Sequence, residues 1–172
     1  PLSFLTWYIC TSAKTFDSDK QIVIQTHILS ESEDAIFHMG FLLKNLENNF
    51  EEYRYELVIN REQIVKENLY KKSSSQFSYI FNRSYVNGVL EYRHNGFLSP
   101  SLYKSLKKEE QVLANDAQKN VSLISYAEIF ENEIAKQIIN SLMNNESNVV
   151  AGGRLSQNAN SIVKATKLFN EN

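Results

Sequence analysis

Apolar and polar residues alternate most regularly in the stretch QFSYIFNRSYVNGVLEYRHNGF, at 76–97. Its two alternating runs flank Asn87 and Gly88. An Asn-Gly pair in this setting is typical of a two-residue β-hairpin loop, because both residues tolerate positive φ. A two-residue loop also fixes the register of the hairpin, so that Arg83 lies opposite Tyr92. The pattern therefore predicts two antiparallel strands joined by this loop.

Residues two apart on a strand share a face, and the predicted register separates the hairpin into two chemically different faces. One face is largely polar and is expected to contact solvent; it collects Ser78, Ile80, Asn82, Ser84, Val86, Val89, Glu91 and Arg93. The other face is aromatic apart from one arginine, one leucine and one histidine; it collects Phe77, Tyr79, Phe81, Arg83, Tyr85, Leu90, Tyr92 and His94.

Two interpretations of the aromatic face are open. In the first, it packs beneath helices as core, with Arg83 over a neighbouring ring. In the second, it is a platform on which Arg83, Tyr85, Tyr92 and His94 bind nucleic acid or a phosphate ligand through stacking and charge. We favour the core interpretation, because the helix-rich remainder of the chain needs a sheet face to cover.

The rest of the N-terminal half gives a mixture of strand and helix signals. Runs rich in β-branched and aromatic residues predict strands at 2–12, 21–29 and 53–59. Apolar residues at mostly helical spacing follow a Ser-Glu capping box and predict a helix at 31–48. A similar cap predicts a short helix, or a loop that imitates one, at 61–70.

Helix signals dominate the C-terminal part of the chain. A serine N-cap followed by proline predicts a helix at 99–118. A capping box at 125–128 begins a second periodic stretch, which predicts a helix with a broad apolar arc over 122–144. A last helix is predicted at 156–169.

Together these elements predict an α+β fold. An antiparallel sheet of about five strands comes from the N-terminal half, and helices from the mostly helical C-terminal half cover it. We expect one domain over 1–172. The pattern allows one subdivision of it, into a strand-rich part, 1–98, and a helical part, 99–172.

Charge and composition exclude several classes of protein. The 172 residues include 18 basic and 20 acidic ones, for a net charge of −2, so no overall positive field draws in nucleic acid. The single cysteine, Cys10, excludes an internal disulfide and is expected to be buried and inert. No apolar run approaches the roughly 18 residues of a membrane span, and the N-terminus lacks a signal-peptide pattern. We expect a cytoplasmic protein without a membrane segment.

Two further patterns suggest binding chemistry. In AGGRLS, the residues Gly152, Gly153, Arg154 and Ser156 offer backbone amides, a helix N-terminus and a positive charge to an anion; the alternative is a glycine-assisted turn between helices, which we favour. Asp34 and His38 would share one face of the predicted helix at 31–48, yet without further ligands at suitable spacing we predict no metal site and no cofactor.

No motif in the chain identifies a reaction. We therefore expect a non-enzymatic binding or regulatory module that acts through protein–protein contacts, with self-association through the apolar helix at 122–144. The alternative is a nucleic-acid or phosphate-ligand binder that uses the aromatic hairpin face. A small enzyme, whose site is assembled from scattered polar residues, is the third interpretation.

Overall fold

A computed structural model describes residues 2–15, 22, 24, 34–45, 47–86, 89–100, 104 and 120–144. Three helices and five strands lie within these residues. In chain order they are α1 (Leu2–Thr15), β1 (Ala35–Lys44), β2 (Phe50–Ile59), β3 (Ile64–Ser73), β4 (Gln76–Val86), β5 (Val89–His94), α2 (Leu123–Ile129) and α3 (Glu133–Asn144). None of these helices is long and apolar enough to cross a bilayer.

The five strands form one sheet in which each strand pairs with the next one along the chain, in the order β1-β2-β3-β4-β5. All four pairings are antiparallel. The predictions of an α+β fold and of a five-stranded antiparallel sheet are therefore confirmed. The prediction that the sheet is covered from a helical C-terminal half is not confirmed, because the N-terminal helix α1 is one of the helices that pack against it.

The strand predicted at 2–12 is wrong, because this segment is the helix α1. Four of its five buried side chains, Leu5, Tyr8, Ile9 and Ser12, recur at spacings of one, three and four residues, which places them on one side of a helix. The ring of Phe4 lies 5.5 Å from the ring of Phe37 in β1. Packing against the sheet thus outweighs the strand propensity of this aromatic, β-branched segment.

Two predicted helices are strands in the structure. The segment predicted as a helix at 31–48 contains β1, whose residues alternate between more exposed and less exposed positions along nearly its whole length. The helix or loop predicted at 61–70 contains most of β3. Strand β3 carries buried polar residues, Glu67 and Asn68, and polar residues at interior positions hide the apolar alternation that identifies a strand.

The register predicted for the hairpin is confirmed, since Arg83 pairs with Tyr92 and Val86 pairs with Val89. The predicted division into faces is correct only for the part near the loop. A β-bulge lies between the pairs Leu69–Phe81 and Tyr70–Tyr79, so β4 has one extra residue there.

A bulge of this kind reverses the alternation of side chains on either side of it. Ile80, which was predicted to contact solvent, is buried, and Tyr79 is 46% exposed. Phe77 and Tyr79 consequently lie on the face opposite Phe81 and Arg83. The prediction that all four share one aromatic face is wrong for these two residues.

The helix predicted over 122–144 is two helices, α2 and α3. They are separated by a turn in which Glu131 has a φ of 62°, a conformation that interrupts a right-handed helix. The N-cap of α2 is Ser122, whose hydroxyl accepts a hydrogen bond from the Ile124 amide. The capping box predicted at 125–128 is therefore wrong. Ser125 lies inside α2, and its hydroxyl accepts from the Ala13 amide of α1 at 3.0 Å.

Several predictions fall wholly or mostly outside the described residues. The helix predicted at 156–169 and the anion loop with Gly152, Gly153, Arg154 and Ser156 lie there. Of the helix predicted at 99–118, residues 100 and 104 are described as helical; of the strand predicted at 21–29, Ile22 and Ile24 are described, and both are buried.

Candidate functional site

The most polar part of the interior is an ion pair between adjacent strands. Glu67 of β3 and Arg83 of β4 occupy opposite positions in the ladder, and their side chains are 0% and 2% exposed. A guanidinium nitrogen, Nη2, of Arg83 donates a hydrogen bond to Oε2 of Glu67. Both residues lie on the covered face of the sheet.

Three further donors surround the Glu67 carboxylate. The hydroxyls of Tyr55 and Ser122 each donate to Oε1 at 2.8 Å. The backbone amide of Leu123, the first residue of α2, donates to Oε2 at 3.0 Å. A negative charge at the N-terminus of a helix is favourable because free amides and the helix dipole point at it. Glu67 therefore joins β3 to the start of α2.

The Arg83 side chain also reaches the segment before α2, where its Nη2 donates to the Val121 carbonyl at 2.7 Å. Burial acts to lower the pKa of Arg83, but the negative charge of Glu67, aided by three nearby tyrosines, outweighs this effect, and the pKa lies above its ordinary value. We define the Glu67 centre as Glu67, Arg83, Tyr55 and Ser122. Its groups are buried and hydrogen-bonded to one another, which is the arrangement of a structural ion pair.

The structure places the four predicted ligand-binding residues of the hairpin on or beside this covered face. Arg83 is buried in the Glu67 centre, and the side chains of Tyr85, Tyr92 and His94 are partly buried. Tyr92 packs against the hydrophobic core. The guanidinium of Arg83 is therefore not accessible to a ligand on the surface of the protein. A ligand-binding role for Tyr85, Tyr92 and His94 stays a prediction.

Cys10 lies in α1, whereas the Asp34–His38 pair lies in and just before β1. Cys10 is 2% exposed, as expected, and burial raises the pKa of its thiol to about 11. Asp34 accepts a hydrogen bond from Asn60, while His38 lies beside Glu56. Because this segment is extended, four residues separate the two side chains by about 13 Å. Among the described residues, no group of three His, Cys, Asp or Glu side chains converges on a metal position.

The face of the sheet opposite to the Glu67 centre carries a second polar arrangement. We define the open face by the side chains of Ile36, His38, Leu42, Lys44, Phe50, Glu52, Arg54, Glu56, Val58, Lys66, Asn68, Tyr70, Lys72, Phe77, Tyr79, Asn82, Ser84, Val86, Glu91 and Arg93, which the registers place on that side. Most of them are exposed or half-buried. The contacts of α1 and α2 described above lie on the other side.

A ladder of hydrogen-bonded side chains crosses the centre of the open face. Asn82 of β4 donates to Oδ1 of Asn68 in β3 at 3.0 Å, and Asn68 donates to Oε2 of Glu56 in β2 at 3.2 Å. His38 of β1 lies 3.9 Å from the other oxygen of Glu56. Asn68 is only 1% exposed although it belongs to the open face, because its neighbours close over it. These bonds hold the amides of Asn68 and Asn82 in fixed orientations.

Beside this ladder lies a groove with a volume of about 410 Å³. Its walls come from β3, β4 and β5 and consist of Lys66, Asn68, Tyr70, Asn82, Ser84, Val86, Glu91 and Arg93. Burial, followed by the charge of Glu56, raises the pKa of Tyr70. The groove is therefore lined by amide, hydroxyl and cationic side chains together with Glu91 and Val86.

Two cations, Lys66 and Arg93, line the groove, and a third, Arg54, pairs with Tyr70 of its wall. Within the described part of the chain, Arg54, Lys66 and Arg93 form no ion pair, whereas Lys72 pairs with Glu52 at 2.5 Å. The Arg54 guanidinium stacks over the Phe77 ring, 4.3 Å from its centroid, which holds it in place without neutralising it.

Sequence reasoning found five of the eight residues that line this groove. It placed Asn82, Ser84, Val86, Glu91 and Arg93 on one side of the hairpin, which is the correct side. The residues contributed by β3 were missed, because β3 was predicted as a helix or loop. The buried Glu67 between Lys66 and Asn68 interrupts the apolar–polar alternation of β3, so the sequence carries no clear strand signal there.

Comparison of the chain with protein-family models, with curated proteins and with solved structures gives no match.

Proposed function

We propose that this chain is a non-enzymatic binding module whose open face holds an acidic segment of a protein partner. The observation that carries the proposal is that Lys66 and Arg93, which line the groove, and Arg54, which pairs with Tyr70 of its wall, form no ion pair within the described residues. A cation that no neighbouring acid neutralises keeps its full attraction for an incoming carboxylate.

The composition of the open face favours a protein over a polynucleotide. Three carboxylates, Glu52, Glu56 and Glu91, are interspersed with the cations, so a continuous phosphate backbone would meet repulsion at several points. A protein segment carries charges only at chosen positions and can avoid them. The groove, at about 410 Å³, has room for a few side chains.

Exposed apolar side chains near the cations fit the same partner. Val86 in the groove wall is 41% exposed, and Tyr79, which pairs with Tyr70 of that wall, is 46% exposed. Protein interfaces combine such aromatic and aliphatic anchors with arginine, and the charged groups fix the orientation of the partner. An acidic segment with apolar residues between its carboxylates matches this surface best.

The test uses fluorescence anisotropy with a dye-labelled, glutamate-rich peptide and, in parallel, a single-stranded oligonucleotide. We expect the peptide to bind with an affinity that falls as salt is added. The double variant Lys66→Gln/Arg93→Gln should weaken binding about tenfold, which corresponds to about 1.4 kcal/mol.

The matched control is Lys72→Gln/Lys136→Gln, which removes the same charge from two lysines that already pair with glutamates. Its affinity for the peptide should stay near that of the unmodified chain. If both double variants lost the same affinity for the peptide, the loss would follow from net charge alone, and the proposal would be overturned. Tighter binding of the oligonucleotide, abolished by Lys66→Gln/Arg93→Gln, would replace it with a nucleic-acid function.

A further inference from the structure

The outer edge of β1 is a long strand edge that no described strand pairs with. β1 is ten residues long and is the first strand of the sheet, so one side of its backbone faces away from β2. In an antiparallel strand, alternate residues direct their amide and carbonyl groups outward. Within the described residues no strand pairs with these groups.

β1 also lacks the features that protect other edges from pairing. The opposite edge, β5, has six residues and carries Glu91 and Arg93, and short, charged edge strands resist association. β1 contains no proline and no acidic residue, and its one strongly charged residue, Lys44, stands at its end. Two of its apolar side chains, Ile36 and Leu42, are 64% and 55% exposed.

We infer that two copies of this chain pair through their β1 edges, antiparallel and with Met39 on the two-fold axis. Two strands in one sheet must align face with face, which requires even-numbered residues opposite even-numbered ones. The axis then stands perpendicular to the sheet, and the two five-stranded sheets become one sheet of ten strands.

This register is self-complementary along its whole length. Ile36 lies opposite Leu42 of the second copy, so the two exposed apolar side chains cover each other. Asp34, just before the strand, lies opposite Lys44, which places unlike charges together at both ends.

The centre of the pairing fits as well. His38 lies opposite Gly40, where a Cβ atom would meet only the Tyr53 carbonyl, at 3.9 Å, so the imidazole has room. The neighbouring even-numbered registers are worse: an axis at His38 stacks two imidazoles and sets Asp34 against Leu42, and an axis at Gly40 sets Ile36 against Lys44.

The pairing has a consequence for the open face. Because the axis is perpendicular to the sheet, the open faces of both copies lie on the same side. The two grooves then belong to one continuous surface. The dimer does not depend on the acidic-peptide proposal, since it uses the edge of β1 and not Lys66 or Arg93.

Sedimentation velocity over a concentration series tests the dimer. We expect the unmodified chain to be a dimer and Leu42→Lys to be a monomer, because the variant sets a lysine against Ile36 of the second copy. The control, Tyr79→Lys, introduces the same charge at an exposed position of the open face away from β1 and should leave the dimer intact. A monomer at every concentration, or equal disruption by both variants, would overturn the inference.

A disulfide test checks the register itself. Directly opposite residues have Cα atoms about 4.5–5.5 Å apart, which a disulfide can span. A mixture of Ile36→Cys and Leu42→Cys chains should therefore form a cross-linked dimer under mild oxidation. Each variant alone should form little, because its two cysteines lie about 20 Å apart in this register. Cross-linking of a single variant as strong as that of the mixture would contradict the register.

Discussion

At the scale of the single residue, Glu67 has the most demanding environment in the described structure. Transfer of a carboxylate into the interior costs several kcal/mol before its partners are counted. Arg83, two hydroxyls and the Leu123 amide offset this cost. The arrangement is stable only while all of these partners remain, because each buried group depends on the others.

Replacement of the charge should therefore be costly. We expect Glu67→Gln to lower the free energy of unfolding by about 3–5 kcal/mol, since it leaves the buried guanidinium of Arg83 without its counter-charge. The control is Glu52→Gln, which breaks the exposed pair with Lys72 and should cost at most about 1 kcal/mol. Urea denaturation curves of the two variants give the comparison.

Two outcomes separate the ion pair from general packing. If Glu67→Gln costs no more than Glu52→Gln, the Glu67 centre does not stabilise the fold in the way described. The double variant Glu67→Leu/Arg83→Met should be more stable than Glu67→Gln alone, because an apolar pair leaves no charge unbalanced.

At the scale of the element, strand β2 and the hairpin β4–β5 could be predicted from the sequence, while α1, β1 and β3 could not. β2 and the hairpin show local alternation, and the Asn-Gly pair gave the correct register. In α1, the aromatic and β-branched residues locally favour a strand. The packing of one side of the segment in the core outweighs this propensity and stabilises a helix. Such packing depends on residues far away in the chain.

The errors in β1 and β3 have a different cause. In β1, Ile36 and Leu42 are apolar yet exposed, so apolar residues occur on both faces and imitate helical spacing. In β3, Glu67 is polar yet buried, so a prediction from polarity places it on the solvent-exposed face of the strand, which is the wrong face. The three groove residues of β3 were missed for this reason. The bulge at Ile80 cannot be predicted from the alternation within β4.

The turn between β3 and β4 offers a prediction at this scale. Ser73 pairs with Gln76, which leaves Ser74 and Ser75 as a two-residue loop, and Ser74 has a φ of 59°. Positive φ at the first loop residue alone is the pattern of a type II′ turn, which favours glycine there. We expect Ser74→Gly to raise the free energy of unfolding by roughly 1 kcal/mol.

The neighbouring serine gives the matched control. Ser75 is not among the residues with positive φ, so Ser75→Gly relieves no strain and adds freedom to the unfolded chain. It should lower stability by a few tenths of a kcal/mol up to roughly 1 kcal/mol. Thermal unfolding followed by circular dichroism measures both changes, and shifts of the same sign would contradict the turn assignment.

At the scale of the whole molecule, α1 connects the beginning of the described chain to its end. The Tyr8 hydroxyl donates to the Asn120 carbonyl at 3.0 Å, across 112 residues. The Ser12 hydroxyl accepts from the Ser122 amide at 2.9 Å. Side chains of α1, the sheet, α2 and α3 share one hydrophobic core. These contacts cross the boundary between 1–98 and 99–172, so the two parts are expected to unfold together.

Trp7 allows this expectation to be tested, because it is the only tryptophan and lies in α1. Leu142 of α3 is buried, and Leu142→Ala should cost about 2–5 kcal/mol. If the molecule unfolds as one unit, the midpoints from Trp7 fluorescence and from far-ultraviolet circular dichroism shift by the same amount. Met143→Ala, at a position 62% exposed on the same helix, should shift neither midpoint appreciably. A shared core transmits the loss of Leu142 to every element that packs on it. A fluorescence midpoint that stays in place while the circular dichroism midpoint falls would therefore show that α1 unfolds separately from α3.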